Sequence, residues 1–198
     1  AADLSNGDTH AFVYRDGAMQ DLGTLPGTVR SFAVGINDLG DIVGGSGVKS
    51  TASNLGDDLP HFPSHAFLYS QGVMSDLGDL GGGNSDAWSI NNNGQIVGVS
   101  TVGNGDTHAF IYANGVMTDI GTLGGNYSDA FYINDAGEVA GTSTLSDGSM
   151  HAYLYREGFM LDLGGVGSGG INGLDAFGQV TGKYAFCSSS GGCPPTAF

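Results

Sequence analysis

The stretch His108-Ala109-Phe110-Ile111-Tyr112 occurs in four versions in this chain and decides the fold class. The other versions are HAFVY at residues 10–14, HAFLY at 65–69 and HAYLY at 151–155. Their starts at residues 10, 65, 108 and 151 are 55, 43 and 43 residues apart. Repeats of this length are typical of propellers and other arrays. We therefore predict a single domain, residues 1–198, with repeats at approximately 10–64, 65–107, 108–150 and 151–195.

Three polar residues return in each repeat at matching positions. An Asp follows the His by eleven residues, within Met-x-Asp-Leu/Ile-Gly, and a Ser then precedes an apolar run. The run ends in Ile-Asn in three repeats and in Leu174-Asp175 in the fourth. The recurring residues are His10, Asp21 and Ser31; His65, Asp76 and Ser85; His108, Asp119 and Ser128; and His151 and Asp162, with Ser168 as a weaker fourth serine.

Each repeat has the pattern of four short antiparallel strands. In the third repeat these are residues 108–112, 116–121, 128–133 and 138–143, and Ala113-Asn114-Gly115 is a tight-turn signal between the first two. Four-stranded sheets that recur about every 43 residues and stack face to face are the blades of a β-propeller. The predicted fold is an all-β propeller of four-stranded antiparallel blades. We favour a closed ring of four blades over a four-blade part of a larger propeller.

Composition narrows the classes of partner. The chain of 198 residues holds 18 Asp, 2 Glu, 37 Gly and only 5 Lys plus Arg, for a net charge of −15. Nucleic acid and anionic membrane surfaces both need Lys and Arg, so neither is an expected partner. The sequence lacks an apolar run of about 18 residues, which argues against membrane insertion. Cations, other proteins and glycans remain as candidate partners.

The recurring motifs carry a family resemblance. His-Ala-Phe, Asp-Leu-Gly-Thr-Leu-Gly-Gly, Ser-x-Ala-x-x-Ile-Asn and Gly-Gln-Ile-Val-Gly resemble the "probable extracellular repeat, HAF family". The resemblance covers about residues 5–185 and is best over 84–143. It implies a secreted or cell-surface protein, mostly bacterial. It implies no known activity and no catalytic residues.

His, Asp and Ser recur together, which invites comparison with a hydrolase triad. Four copies of a triad would be strange in one enzyme, whereas four copies of a structural device are expected. We interpret the set as a network within each blade, with a buried imidazole whose two nitrogens are both hydrogen-bonded. The sequence shows no non-repeated cluster of titratable residues, so we predict that the protein is not an enzyme.

Calcium is the one cofactor that the sequence raises. Asp8, Asp106 and Asp147 lie in equivalent loops between repeats, and Asp57-Asp58 lies in the long insertion. Hard oxygen ligands on short loops suit Ca²⁺. The alternative is that Asp beside Gly is an ordinary turn residue.

Cys187 and Cys193 are separated by five small residues, Ser-Ser-Ser-Gly-Gly. This spacing permits a local disulfide, which would place the protein outside the cytoplasm. A pair of free thiols is the alternative.

The loops that differ between repeats are the expected binding surface, since variable loops on a rigid scaffold often carry recognition. His61, Phe62 and Tyr127 are the candidate contact residues there. We predict a secreted or surface-located, non-catalytic binding or structural module, with proteins or glycans as partners. One alternative is a carbohydrate-binding lectin. The other is a self-associating subunit of a surface layer or filament, built by strand exchange.

Overall fold

The computed structural model describes residues 2–3, 8–48, 64–166 and 170–183, and those ranges contain strands, turns and irregular segments. They form seventeen β-strands. None of the described segments is a helix that could cross a membrane. The predicted disulfide residues Cys187 and Cys193 lie outside the described ranges, as do Ser168 and the insertion residues Asp57, Asp58, His61 and Phe62.

Two sheets are four-stranded antiparallel meanders, and four strands of a seven-stranded sheet form a third such meander. We call these three meanders blades 1 to 3. Blade 1 contains β4 (Arg30–Ile36), β5 (Ile42–Gly47), β6 (Ser64–Ser70) and β7 (Val73–Asp76). Blade 2 contains β8 (Gly81–Ile90), β9 (Ile96–Val102), β10 (Thr107–Ala113) and β11 (Val116–Asp119). Blade 3 contains β12 (Ser128–Ile133), β13 (Val139–Thr144), β14 (Met150–Arg156) and β15 (Phe159–Gly165).

An incomplete sheet lies at each end of this series. The N-terminal half-blade contains β1 (Ala2–Asp3), β2 (Thr9–Arg15) and β3 (Ala18–Gly23). The C-terminal half-blade contains β16 (Ile171–Leu174) and β17 (Val180–Gly182). A single parallel bridge between Thr9 and Arg30 links the N-terminal half-blade to blade 1. A bridge of the same kind joins Thr107 to Tyr127 between blades 2 and 3.

The blades are offset from the sequence repeats by half a repeat. A blade takes the third and fourth strands of one repeat and the first and second strands of the next. The expectation that one repeat folds into one sheet was therefore wrong. The strands themselves lie where the pattern predicts them, with β12 at Ser128–Ile133. A periodic sequence has no intrinsic starting point, and only strand pairing decides where a sheet begins.

The predicted tight turns are confirmed. Asp16, Gln71, Asn114 and Glu157 have φ values of 54°, 51°, 52° and 53°, and a glycine with positive φ follows each of them. Two successive residues with positive φ are typical of the two-residue hairpin turn that matches the twist of its strands.

The first strand of each sheet unit departs from strict alternation. Register shifts occur at equivalent points of β4, β8, β12 and β16, for example between Ala130 and Tyr132. Strict alternation would place Trp88 and Ile90 on one side of β8 and Ala87 and Ser89 on the other, but the register shift between Ala87 and Ser89 breaks it. These strands contact one another in succession, β4 with β8, β8 with β12 and β12 with β16, and so form a common inner layer.

The core is divided into four layers, each between two neighbouring sheets. In three layers the Ala of one His-Ala-aromatic motif packs with the aromatic residue of the next motif. The pairs are Ala11 with Phe67, Ala66 with Phe110, and Ala109 with Tyr153. The fourth layer contains Ala152 and lacks such an aromatic among its described residues. Full burial of one such ring stabilises the fold by roughly 1.5–3 kcal/mol.

Candidate functional site

Each recurring His is paired with the recurring Asp of the same repeat. The Nδ1–carboxylate distances are 3.0 Å for His10–Asp21 and 2.8 Å for His65–Asp76, His108–Asp119 and His151–Asp162. The imidazole side chains are 18%, 41%, 19% and 18% exposed. All hydrogen bonds of these rings within the described ranges use Nδ1. The imidazoles are therefore only partly buried, and within the described ranges one of the two expected nitrogen contacts is made.

The Asp of each pair also closes the turn behind its strand. Asp119 accepts the backbone N–H of Gly121 at 2.7 Å, and the other three repeats have the same bond. Gly121 has a φ of 77°, a conformation that favours glycine. At Asp21 burial raises the pKa, but the bonds from the Gly23 N–H and His10 outweigh it, and the pKa lies below its ordinary value.

The recurring Ser fastens one sheet to the next and does not contact the His side chain. Ser128, on β12, accepts the Ala109 N–H at 2.8 Å and donates to the Gly121 carbonyl at 2.6 Å. Ser31 and Ser85 make the equivalent pairs of bonds. The predicted His–Asp–Ser network within one blade was therefore wrong. The His–Asp pair lies within one sheet, and the Ser links that sheet to its neighbour.

A second serine series, which the sequence analysis did not single out, makes parallel connections. Ser46, Ser100 and Ser143 lie on β5, β9 and β13. They accept the backbone N–H groups of Leu25, Leu80 and Leu123, which follow the last strand of the preceding sheet, at 3.0, 2.9 and 2.8 Å. Their recurrence within the Gly-containing fourth strand of the first three repeats was the available signal.

The asparagines of the Ile-Asn motif form a ladder across the sheets. Nδ2 of Asn37 donates to the Asn91 carbonyl at 3.1 Å, and Nδ2 of Asn91 donates to the Asn134 carbonyl at 2.9 Å. Nδ2 of Asn134 continues the series to the Asp175 carbonyl at 3.0 Å. A carboxylate has no hydrogen to donate, so the side chain of Asp175 ends the ladder.

These bonds decide against serine hydrolysis at the recurring sites. The hydroxyls of Ser31, Ser85 and Ser128 are buried, with at most 2% of each residue exposed, and are bonded to backbone groups. In the repeats that the structure describes, no serine is hydrogen-bonded to a histidine as a nucleophile to its base.

A pair of buried carboxyl groups, Asp86 and Asp129, was missed by the sequence analysis. They are 5% and 3% exposed. Burial raises the pKa of Asp86 to about 7, helped by the charge of Asp129 and opposed by the hydrogen bond from Ser64. Burial also raises the pKa of Asp129 to about 6, against hydrogen bonds that favour the charged form.

Aromatic side chains surround Asp129. The indole Nε1 of Trp88 donates to it at 2.8 Å, and the Tyr127 hydroxyl donates at 3.3 Å. The Tyr153 hydroxyl bonds the Asp129 backbone carbonyl at 3.1 Å. Tyr127, a predicted contact residue, thus directs its hydroxyl inward, and burial raises its pKa above the ordinary range.

The two carboxyls correct the expectation that the chain has no non-repeated titratable cluster. The equivalent position is Phe32 on β4 and, by strand register, Gly170 before β16. That variation was the signal available in the sequence. Both carboxyls are almost fully buried, so they have little contact with solvent in this conformation.

The predicted calcium ligands form local turns. Asp106 accepts from Nδ2 of Asn104 at 2.8 Å, and Asp147 accepts from the Ser149 N–H at 2.9 Å and from its hydroxyl at 2.6 Å. Asp8 precedes β2, and Asp57 and Asp58 lie outside the described ranges. Among the described residues, no three or more His, Cys, Asp or Glu side chains are grouped as metal ligands.

Comparison with known proteins supports the fold. No family model matches the chain, and no curated protein matches its sequence, so the HAF resemblance stays a prediction. The crystal structure of TolB from Acinetobacter baumannii is similar, with a TM-score of 0.53 at 12% identity, over 85% of this chain and 48% of that one. At this identity the likeness concerns the fold alone, which is all-β and propeller-like. The chain spans about half the length of TolB.

Proposed function

We propose that this chain is a non-catalytic binding or structural module of the extracellular HAF type, located at the cell surface or secreted. The observation that supports this most is the use of the recurring polar groups. The His–Asp pairs, both serine series and the asparagine ladder are bonded inside or between sheets. Residues that recur therefore build the scaffold, and recognition is left to residues that differ between repeats.

The differing residues cluster at the loop end of the inner strands. Arg30, Asn84 and Tyr127 occupy one equivalent position, immediately before the recurring Ser. They place a guanidinium, an amide and an aromatic ring at matched points of the same framework. Different chemistry at matched points of a fixed scaffold is the arrangement expected of a binding surface.

The proposed location rests on the resemblance and on charge. A net charge of −15 suits a protein that stays soluble and avoids anionic membranes and nucleic acids. The proposed partners are proteins or glycans of the cell surface. Strands for four blades per chain remain our proposal for the architecture, as three complete blades and two terminal half-blades.

A glycan array and a panel of purified cell-surface proteins test the function. We expect saturable binding that Tyr127→Ala or Arg30→Ala weakens at least about tenfold, which corresponds to about 1.4 kcal/mol. Thr118→Ala, on the exposed outer strand β11, is the matched control and should bind like the wild type. Glycan binding would select the lectin alternative. Turnover of a bound glycan or peptide would contradict a non-catalytic role.

A further inference from the structure

Among the described residues, the facing edges of the two half-blades are complementary and largely unpaired. In blade 2 the second strand, β9, pairs with the third strand, β10. In the C-terminal half-blade β17 corresponds to β9 and pairs with β16 alone among the described strands. In the N-terminal half-blade β2 corresponds to β10. Its edge carries only the short strand β1, opposite Thr9 and His10.

The C-terminal half-blade also leaves a groove beside blade 3. The groove has a volume of about 630 Å³ and is lined by Ala152, Leu154, Leu163, Ile171 and Val180, among others. The same layer one blade earlier contains Ala109, Ala130 and Val139 and is filled by the ring of Tyr153. The groove is thus the place that the aromatic residue of a following His-Ala-aromatic strand would occupy.

The N-terminal half-blade carries the matching aromatic side chain. Phe67, Phe110 and Tyr153 are fully buried, whereas the equivalent Phe12 is only partly buried. Phe12 belongs to none of the four core layers. Tyr14, two residues further along β2, is 66% exposed, whereas its equivalent Tyr69 is 6% exposed.

The inner strand of blade 1, β4, is exposed on the side that faces the N-terminal half-blade. Ile36 on β4 is 60% exposed, while the equivalent Ile90 and Ile133 are 7% and 9% exposed. Those two are covered by the inner strands of the preceding sheet, which the N-terminal half-blade does not have. The C-terminal half-blade consists of two strands of that inner type, β16 and β17.

We propose that the half-blades of two copies of this chain combine into one four-stranded blade, with β17 of one copy paired to β2 of the other. The order of strands would be β16-β17-β2-β3, which is the order within blades 1 to 3. Phe12 then fills the groove beside blade 3, and β16 covers Ile36.

The register follows from the complete blades. The pair Val97–Ile111 between β9 and β10 corresponds to Thr181–Val13 at the junction. Gly182 then faces Phe12, as Gly141 faces Tyr153. At Gly141 an added Cβ would overlap the Asp129 carbonyl oxygen and would lie 2.5 Å from the Tyr153 hydroxyl, so the glycine makes room for both. β1 does not interfere, since it pairs with residues 9 and 10 only.

A second copy fits better than closure of one chain on itself. Three complete blades separate the half-blades, and no pairing joins β17 to β2 within the described chain. Joining unlike ends gives a head-to-tail contact, which produces a ring or a filament according to its rotation.

Mixing two single-cysteine chains tests the pairing. One carries Val13→Cys and the other Thr181→Cys, both with Cys187→Ser and Cys193→Ser. Antiparallel partners have Cα separations that a disulfide can span. We expect a disulfide-linked dimer in the oxidised mixture and none from either chain alone. Thr181→Cys mixed with Ala18→Cys, on the outer strand β3, is the mismatched control and should not cross-link.

The chain with both cysteines distinguishes the rival occupants. Linked dimers or longer species support the proposal. A monomer with an internal disulfide would show that one chain closes its own ring, and would overturn it. Failure of the mixture to cross-link, with both chains folded by circular dichroism, would also overturn it and leave the proposed binding function untouched.

Light scattering after size exclusion supplies an independent measurement. The wild-type chain should be a dimer or larger at about 100 μM, with Phe12→Ala weakening association at least about tenfold because buried aromatic anchors dominate interfaces. Phe159→Ala, which removes an exposed ring outside the groove, should leave association unchanged. A monomeric wild type, or equal effects of the two variants, would contradict the proposal.

Discussion

The complete blades and the terminal half-blades carry the same sequence motif in different surroundings. Phe110 lies between blades 1 and 2 and is fully buried, whereas Phe12 lies at the end of the series and is partly exposed. Ile90 and Ile36 differ in the same way. The motif therefore does not determine burial by itself. Each blade presents half of an interface, and a neighbouring blade has to supply the other half.

The largest expected loss of stability distinguishes a phenylalanine between two complete blades from one in a terminal half-blade. Phe110→Ala should lower the free energy of unfolding by about 3–5 kcal/mol, because it leaves a cavity in a closed layer. Phe12→Ala in a monomeric preparation should lower it by less than about 1.5 kcal/mol. Urea denaturation followed by circular dichroism measures both. Equal losses would mean that the N-terminal half-blade is packed as tightly as the complete blades.

The second prediction concerns Asp86 in blade 2. Phe32 is at the equivalent position of blade 1. The pKa of Asp86 is about 7 in the folded protein and about 3.9 in the unfolded chain. The folded state therefore binds the proton more tightly, and stability should fall as pH rises from about 4 to about 7.

Asp86→Asn should remove this loss. We expect the variant to be more stable than the wild type by about 1–3 kcal/mol at pH 8, because it buries no charge, and to differ little at pH 4. Thermal unfolding at the two pH values measures the difference, with pH 4 as the internal control. A stabilisation that is the same at both pH values would show that ionisation of Asp86 is not its cause.

The third prediction compares one His–Asp pair inside the series with one at its end. Asp119→Ala and Asp21→Ala should each lower stability by about 0.5–1 kcal/mol, since the pairs are partly exposed and act within one sheet. Chemical denaturation of both variants checks this. A loss of several kcal/mol at Asp119 alone would show that the pair depends on contact with neighbouring blades.

The smallest expected effect lies in the hairpin turns. Glu157 has a φ of 53° in blade 3, where Asn114 occupies the same position of blade 2. Asn tolerates this conformation better than Glu, so Glu157→Asn should raise stability by about 0.5 kcal/mol. Asn114→Gln is the reverse change and should lower it by a similar amount. The melting temperatures of both variants, compared with that of the wild type, measure these opposite changes in stability.

Local patterns predicted much of the molecule. The strand of Ser128–Ile133, the Asn114-Gly115 turn and the pairing partner of His108 follow from short-range chemistry and spacing. The role of Ser128 did not follow, because its two bonds go to backbone groups of another sheet. Nearly every residue has the same backbone groups, so residue types do not show which of them a side chain will bond.

The buried carboxyls show the same limit more strongly. Asp86 and Asp129 lie on inner strands beside Gly, Ser and Asn, where an Asp suggests a solvated turn. Their burial results from Ser64 and Trp88, which come from the preceding blades. A carboxyl's pKa depends on its surroundings in space, and those are set by how sheets stack.

The sequence by itself determined the repeat, the all-β class, the positions of the strands and turns, and which polar residues recur. These depend on periodicity and on the conformational preferences of neighbouring residues. Only the tertiary structure decided where a blade begins, which groups bond one blade to the next, and that half a blade lies at each end of the described residues. Those properties arise from hydrogen bonds and packing between segments distant in the chain, which a repeating pattern permits in more than one phase.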